Sequence, residues 1–266
     1  MPDPRAVLTR PAPPADRTVA YGPHPDQVLD LRAPAAVDGG ASRPLVIVVH
    51  GGFWRAEYDR THTGPLAAAL AALGYPVAQI EYRRTGSPGG GWPGTLDDAL
   101  DAVRAAPAAA AALLPRFRAD APVLLLGHSA GGQLALWCAA RAPELVAGVL
   151  ALAPVADLAR AYRDDLDDGA VAALLGGGPQ ELPGRYAATD PVALTPIPVR
   201  TVVVHGLRDE QVPPAMSRSY VAAARAADAD VQLIELPECE HFGLIDPLSP
   251  SWSTVVTALQ SMHDDR

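Results

Sequence analysis

Short, unbroken aliphatic runs recur along this chain, separated by stretches of helical character. Leu45–Val49 reads Leu-Val-Ile-Val-Val, residues 123–126 read Val-Leu-Leu-Leu, and residues 148–153, 201–204 and Val231–Leu236 are further such runs. A run without polar alternation suits a strand buried on both faces, as in parallel sheets covered by helices on each side. Residues 61–73, closed by Gly74, the run ending at Ala142, and residues 95–114, 213–227 and 252–262 fit the intervening helices. Strands alternating with helices make βαβ units, so the predicted fold class is α/β, with a mainly parallel central sheet flanked by helices. Residues 75–82 supply another strand, 19–21 and 27–31 two short opening strands, and Asp38-Gly39-Gly40 a turn. Thr95 and Asp98 have the spacing of a capping box, with Asp in place of the usual Glu.

The chain has 266 residues, 49% of them hydrophobic, so one large core is affordable and a single α/β unit over residues 17–266 is expected. Residues 1–16 read as a Pro-rich, flexible N-terminal arm. Residues 155–198 break the strand–helix rhythm. They hold Asp164-Asp165-Leu166-Asp167-Asp168, three successive glycines and several prolines, and are read as a small cap or excursion between two strands. The acidic run is expected to be a solvated loop, because its spacing is not that of a calcium loop.

A formal net charge of −9 argues against nucleic acid as a partner, since phosphate binding needs clustered Lys and Arg. No uninterrupted apolar stretch of about 18 residues is present, so no membrane span is expected. The N-terminus lacks the apolar run of a signal peptide. Cys138 and Cys239 have no metal-ligand spacing, and their usage fits a reducing, cytoplasmic setting. Oligomeric state is left open, with a homodimer allowed.

Gly127-His128-Ser129-Ala130-Gly131 follows one aliphatic run and opens an Ala-rich helix. That context makes Ser129 a candidate nucleophile at a strand-to-helix elbow, rather than a plain helix N-cap. The glycines permit a turn too tight for flanking side chains, and the helix aims its N-terminal N–H groups at the site. His50-Gly51-Gly52-Phe53-Trp54 follows another buried run. Acyl transfer requires fixed donors for a tetrahedral oxyanion, and backbone N–H groups of Gly52, Phe53 and Ala130 are the candidates. A serine hydroxyl also needs a base, and the base an orienting carboxylate. In the order Ser, acid, His, the base is His241, in Glu240-His241-Phe242-Gly243 after the last strand. His24, His50, His62, His128 and His205 come too early in the chain, and His263 sits in a polar tail. Asp209, after residues 201–204, is the expected acid, with Glu210 as its rival and Glu235 and Asp246 as weaker candidates. His128 is expected to pack rather than react. Trp54 and Trp92 are candidate walls of a substrate pocket, with packing as the alternative.

Taken together, these residues resemble the α/β-hydrolase superfamily from about Leu45 to Leu259. His-Gly-Gly-Phe-Trp is similar to the motif of the kynurenine formamidase (arylformamidase) branch, which adjoins esterases of the hormone-sensitive-lipase type. Glu81-Tyr82-Arg83 resembles the strand-end Tyr-Arg of those esterases, although Phe53 stands where they carry a third glycine. The resemblance implies an α/β-hydrolase fold, triad roles for Ser129, Asp209 and His241, and a small-molecule ester or aryl formamide as substrate, with no metal or organic cofactor. Two other readings stay open. One is a peptidase, thioesterase or biosynthetic acyltransferase on the same triad; the other is a non-catalytic binding protein on this scaffold.

Overall fold

Eight strands form one sheet: β1 (Arg17–Ala20), β2 (Val28–Arg32), β3 (Leu45–Val49), β4 (Val77–Ile80), β5 (Val123–His128), β6 (Gly148–Leu152), β7 (Arg200–Gly206) and β8 (Val231–Leu236). Their spatial order is β1-β2-β4-β3-β5-β6-β7-β8. β2 runs antiparallel to β1 and β4, and every pair from β4 to β8 is parallel. The computed structural model describes residues 3–35, 43–114, 117, 119–120 and 122–263. The turn expected at Asp38-Gly39-Gly40 lies outside the described residues.

The aliphatic runs are continuous because both faces of the sheet are covered. Leu45, Ile47 and Val49 of β3 enter one core with Leu96, Leu134 and Tyr220, while Val46 and Val48 enter a second with Leu66, Leu70 and Leu259. The first core carries α2 (Gly94–Leu113), α3 (Ala130–Arg141) and α7 (Pro214–Ala226); the second carries α1 (Gly64–Ala72) and α8 (Trp252–Gln260). The excursion folds as α4 (Leu158–Arg163), α5 (Ala170–Leu175) and α6 (Pro183–Thr189), and its Leu158, Leu174 and Tyr186 join the first core. Helix α3 holds it there: Trp137 Nε1 donates to Ala188 O at 2.9 Å.

Three local expectations are corrected. The first helix does not begin at Thr61. A 3-10 turn covers Arg60–Thr63, and α1 starts at Gly64 with Pro65 in its first turn, where a missing N–H does no harm. Thr95 and Asp98 do not cap α2. The Thr95 hydroxyl donates to Arg83 O at 2.5 Å, and Asp98 accepts from Arg83 and Gln27, tying the helix to the end of β4. The arm at 1–16 is docked along its described length. Its Pro4–Thr9 segment is a 3-10 helix with Val7 fully buried in the second core, and Arg32 Nη1 donates to Pro13 O at 2.7 Å.

Strand register places the site. Val49 pairs with Gly127, and Gly127 pairs with Ala151, so β3, β5 and β6 end level with one another. The loops that leave them meet at the carboxyl edge of the sheet, where open α/β sheets form their binding crevices.

Candidate active site

Ser129 sits at the turn from β5 to α3 with φ 57° and ψ −123°. A non-glycine residue there is strained, by roughly 1–3 kcal/mol. Its neighbours explain why the strain is kept. A Cβ at Gly127 would overlap Gly131 O, and one at Gly131 would overlap the carbonyl oxygens of Val49 and His50. The elbow is therefore pressed between its own helix and the end of β3. Ser129 N donates to Leu152 O at 2.8 Å, which fixes the turn against β6.

His241 follows β8 and precedes a 3-10 turn, Phe242–Leu244. Its Nδ1 lies 2.6 Å from Asp209 Oδ2. Burial pushes the Asp209 carboxyl up, but hydrogen bonds from His205 and His241 outweigh it and hold the carboxyl well below the ordinary carboxylate range. An ionised carboxylate only accepts, so His241 Nδ1 carries the proton and Nε2 is left as the basic nitrogen. Asp209 Oδ1 accepts from the backbone N–H groups of Gln211 and Val212, both at 2.8 Å. Glu210, the rival acid, is exposed.

Sequence reasoning missed His205. It is fully buried behind Asp209, with Nε2 2.9 Å from Val212 O and 3.3 Å from Asp209 Oδ2, and Nδ1 2.6 Å from Ser217 Oγ. A carbonyl only accepts, so Nε2 bears a proton and directs it at the acid's loop. The available signal was a histidine at the end of the strand just before Asp209, which its place in the chain order had set aside.

The loop after β3 has three successive positive φ values: Gly52 at 106°, Phe53 at 47° and Trp54 at 58°. Gly52 leaves no room for a Cβ beside Tyr58, and a Cβ at Gly51 would stand 2.9 Å from both His128 O and Ser129 Cβ. A polar brace holds this shape. His50 stacks on Tyr82 at 4.4 Å, its Nδ1 faces Gly51 O at 2.8 Å, and its Nε2 faces Glu81 Oε1 at 2.8 Å. Tyr82 OH donates to His50 O at 2.8 Å. Burial raises the Glu81 pKa, but His50, Arg84 and the Arg60 N–H more than offset this and bring it to about 2. Among the described residues, the backbone N–H groups of Gly52, Phe53 and Ala130 donate to no protein acceptor.

Ser129, His241, Gly52, Phe53 and His128 line one cavity of about 70 Å³. Hydrogen bonds among the described residues do not include one between Ser129 and His241; contacts of this kind commonly tighten only when substrate is bound. His128 donates from Nε2 to His241 O at 3.1 Å, which steadies His241 through its backbone. Burial, and the charge His241 would carry, push His128 well below its usual pKa, so its ring is neutral.

Neither tryptophan walls this cavity, contrary to expectation. Trp54 is fully buried in the first core and its Nε1 donates to Gln133 Oε1 at 3.2 Å, because the positive-φ loop turns its side chain inward. Trp92 is half-buried under Arg185, whose guanidinium lies 5.9 Å from its ring. The remaining walls are Arg5, Leu8, Tyr58, His62, Asp167, Gln211 and Phe242. Asp167 belongs to the acidic run and is not freely solvated, since Arg55 binds its carboxylate.

A mainly parallel sheet, a strained serine elbow and a buried His–Asp pair define the α/β-hydrolase class. The chain belongs to the prolyl oligopeptidase family, whose profile matches residues 62–254. It is similar to esterase LipQ of Mycobacterium tuberculosis, 29% identical over 84% of this chain and 56% of that protein. It is also similar to versiconal hemiacetal acetate esterase of Aspergillus parasiticus, 30% identical over 54% of this chain and 44% of that protein. The chain thus spans about half the length of these relatives. Among solved structures, esterase B from Lactobacillus rhamnosis shares the fold, with a TM-score of 0.77 at 21% identity over 97% of this chain and 89% of that one.

Proposed function

We propose that this chain hydrolyses small carboxylic esters by acyl transfer through Ser129, with His241 as base and Asp209 as its orienting acid. The observation that carries the reading is the 2.6 Å His241–Asp209 contact, made where His241 and Ser129 line one cavity. The esterase names of the relatives support it.

In the proposed reaction, Ser129 Oγ attacks the ester carbonyl and passes its proton to His241 Nε2. The new oxyanion is received by backbone N–H groups from Gly52, Phe53 and Ala130. Each such donor contributes roughly 3–4 kcal/mol to lowering the barrier, because it is oriented before charge develops. His241 then protonates the leaving alkoxide, giving an alcohol and an acylated serine. A water molecule, deprotonated by His241, attacks the acyl carbon; the proton returns to Ser129 and a carboxylic acid leaves.

Aryl formamide hydrolysis is a second reading. It is favoured by the small cavity, since formyl is the smallest acyl group, and by the His-Gly-Gly-Phe-Trp loop. Steady-state kinetics on p-nitrophenyl acetate, N-formylkynurenine and a prolyl peptide amide tests both. The expected result is a kcat/KM for the acetate well above that for the other two. Formamide turnover far above ester turnover transfers the site to the second reading. Peptide cleavage without ester turnover overturns both.

A further inference from the structure

We infer that the N-terminal 3-10 helix, Pro4–Thr9, is a built wall of the substrate pocket, and that Leu8 sets the upper size of the acyl group the site accepts. The inference rests on the ester-hydrolysis reading above and adds the substrate class.

Leu8 and Arg5 line the same cavity as Ser129 and His241, although more than 120 residues separate them from the elbow in sequence. The segment that carries them is anchored on both sides of Leu8. Val7 is fully buried in the second core, beside Leu66 and Leu244. Arg10 makes a two-pronged ion pair with Asp246, with Nη2 2.9 Å from Oδ2, just beyond the 3-10 turn that carries Phe242. Arg5 lies over the Phe242 ring at 5.7 Å. Asp3 caps the helix, accepting the Arg5 N–H at 2.8 Å. A side chain held between a core anchor and an ion pair is a fixed boundary, so it can discriminate by size.

The cavity, about 70 Å³ and partly open to solvent, sets the scale. A volume of that order is on the scale of a short acyl group of roughly two to four carbons. Longer chains that run toward the N-terminal helix meet Leu8, whose half-buried side chain packs against the second core.

The test is a chain-length series of p-nitrophenyl esters, acetate, butyrate and octanoate, on the full chain and on Leu8→Ala and Arg10→Ala. Leu8→Ala enlarges the pocket directly. Arg10→Ala releases the anchor and changes no cavity wall. The unaltered chain should favour acetate and butyrate over octanoate. Leu8→Ala should raise the octanoate-to-acetate ratio of kcat/KM by about tenfold or more, in line with the 10–200-fold effect of a methylene in a tight apolar pocket. Arg10→Ala should move the ratio in the same direction by a smaller factor. Acetate turnover with an unchanged ratio in Leu8→Ala overturns the wall and leaves the hydrolase reading standing. No ester turnover by the unaltered chain overturns both.

Discussion

At the scale of single residues, the site depends on positions where only one side chain fits. Gly131 faces two backbone carbonyls at the end of β3 that cannot retreat without breaking the sheet. Gly131→Ala should therefore destabilise the fold by about 1–3 kcal/mol, measured as a lower urea midpoint, and lower kcat as well. Asp209→Asn keeps the shape but presents the wrong partner to His241 Nδ1. The expected loss is about 10⁴-fold in kcat with little change in KM, as in other triads. His205 should act through that same carboxylate. Replacing it with Leu removes an N–H from Asp209, leaves the carboxylate more basic, and should raise the apparent pKa of the acid limb of kcat/KM; His205→Gln, which restores an N–H, should move the limb back. An unmoved limb in His205→Leu would reduce His205 to packing. Ser129, His241 and Asp209 were legible as candidates because elbow, base and acid each follow a strand in a fixed order. His205 was not, since no linear pattern states which buried histidine stands behind which acid.

At the scale of elements, the loop after β3 and the strand end that braces it act together. Glu81, though outside the cavity, holds His50, and His50 holds the Gly51 carbonyl. Glu81→Gln should lower kcat by about tenfold to a hundredfold, the usual result of misplacing a catalytic group, with a smaller change in KM. The same region governs acid stability. Burial, with repulsion from His50, lowers the His62 pKa from 6.5 to about 4. Its neutral form is thus favoured in the fold; the associated stability is complete above pH 6.5 and is lost as pH falls toward 4. Glu81 falls from 4.5 to about 2, so its share is present above pH 4.5 and lost as pH falls toward 2. Each contributes on the order of 3 kcal/mol. Urea midpoints should therefore decline in two stages between pH 7 and pH 3, and His62→Gln should flatten the upper stage. A midpoint constant from pH 7 to pH 4 would contradict this. Trp54 shows why the loop's use was legible and its side-chain directions were not. Glycines after a buried strand announce a close approach, but three successive positive φ values reverse the chain locally, and only the fold decides which aromatic turns into the core.

At the scale of the whole molecule, one mainly parallel sheet brings together residues from four separate loops. That architecture was legible because unbroken aliphatic runs have few alternatives: a strand covered on both faces needs helices on both sides. The docked arm was not. Its hold on the body includes one buried valine, an ion pair spanning 236 positions and the Arg32 hydrogen bond to Pro13, and none of these leaves a periodic trace in the sequence. Among the described residues no helix is long and apolar enough to cross a membrane. The central claim is that Ser129 is made nucleophilic by His241. It is tested most directly by fluorophosphonate labelling, with the modified peptide identified by mass spectrometry and the rate compared in His241→Ala. The account predicts a single label on Ser129 and a labelling rate about a thousandfold lower in the variant. An unlabelled Ser129, or labelling as fast without His241 as with it, would contradict it.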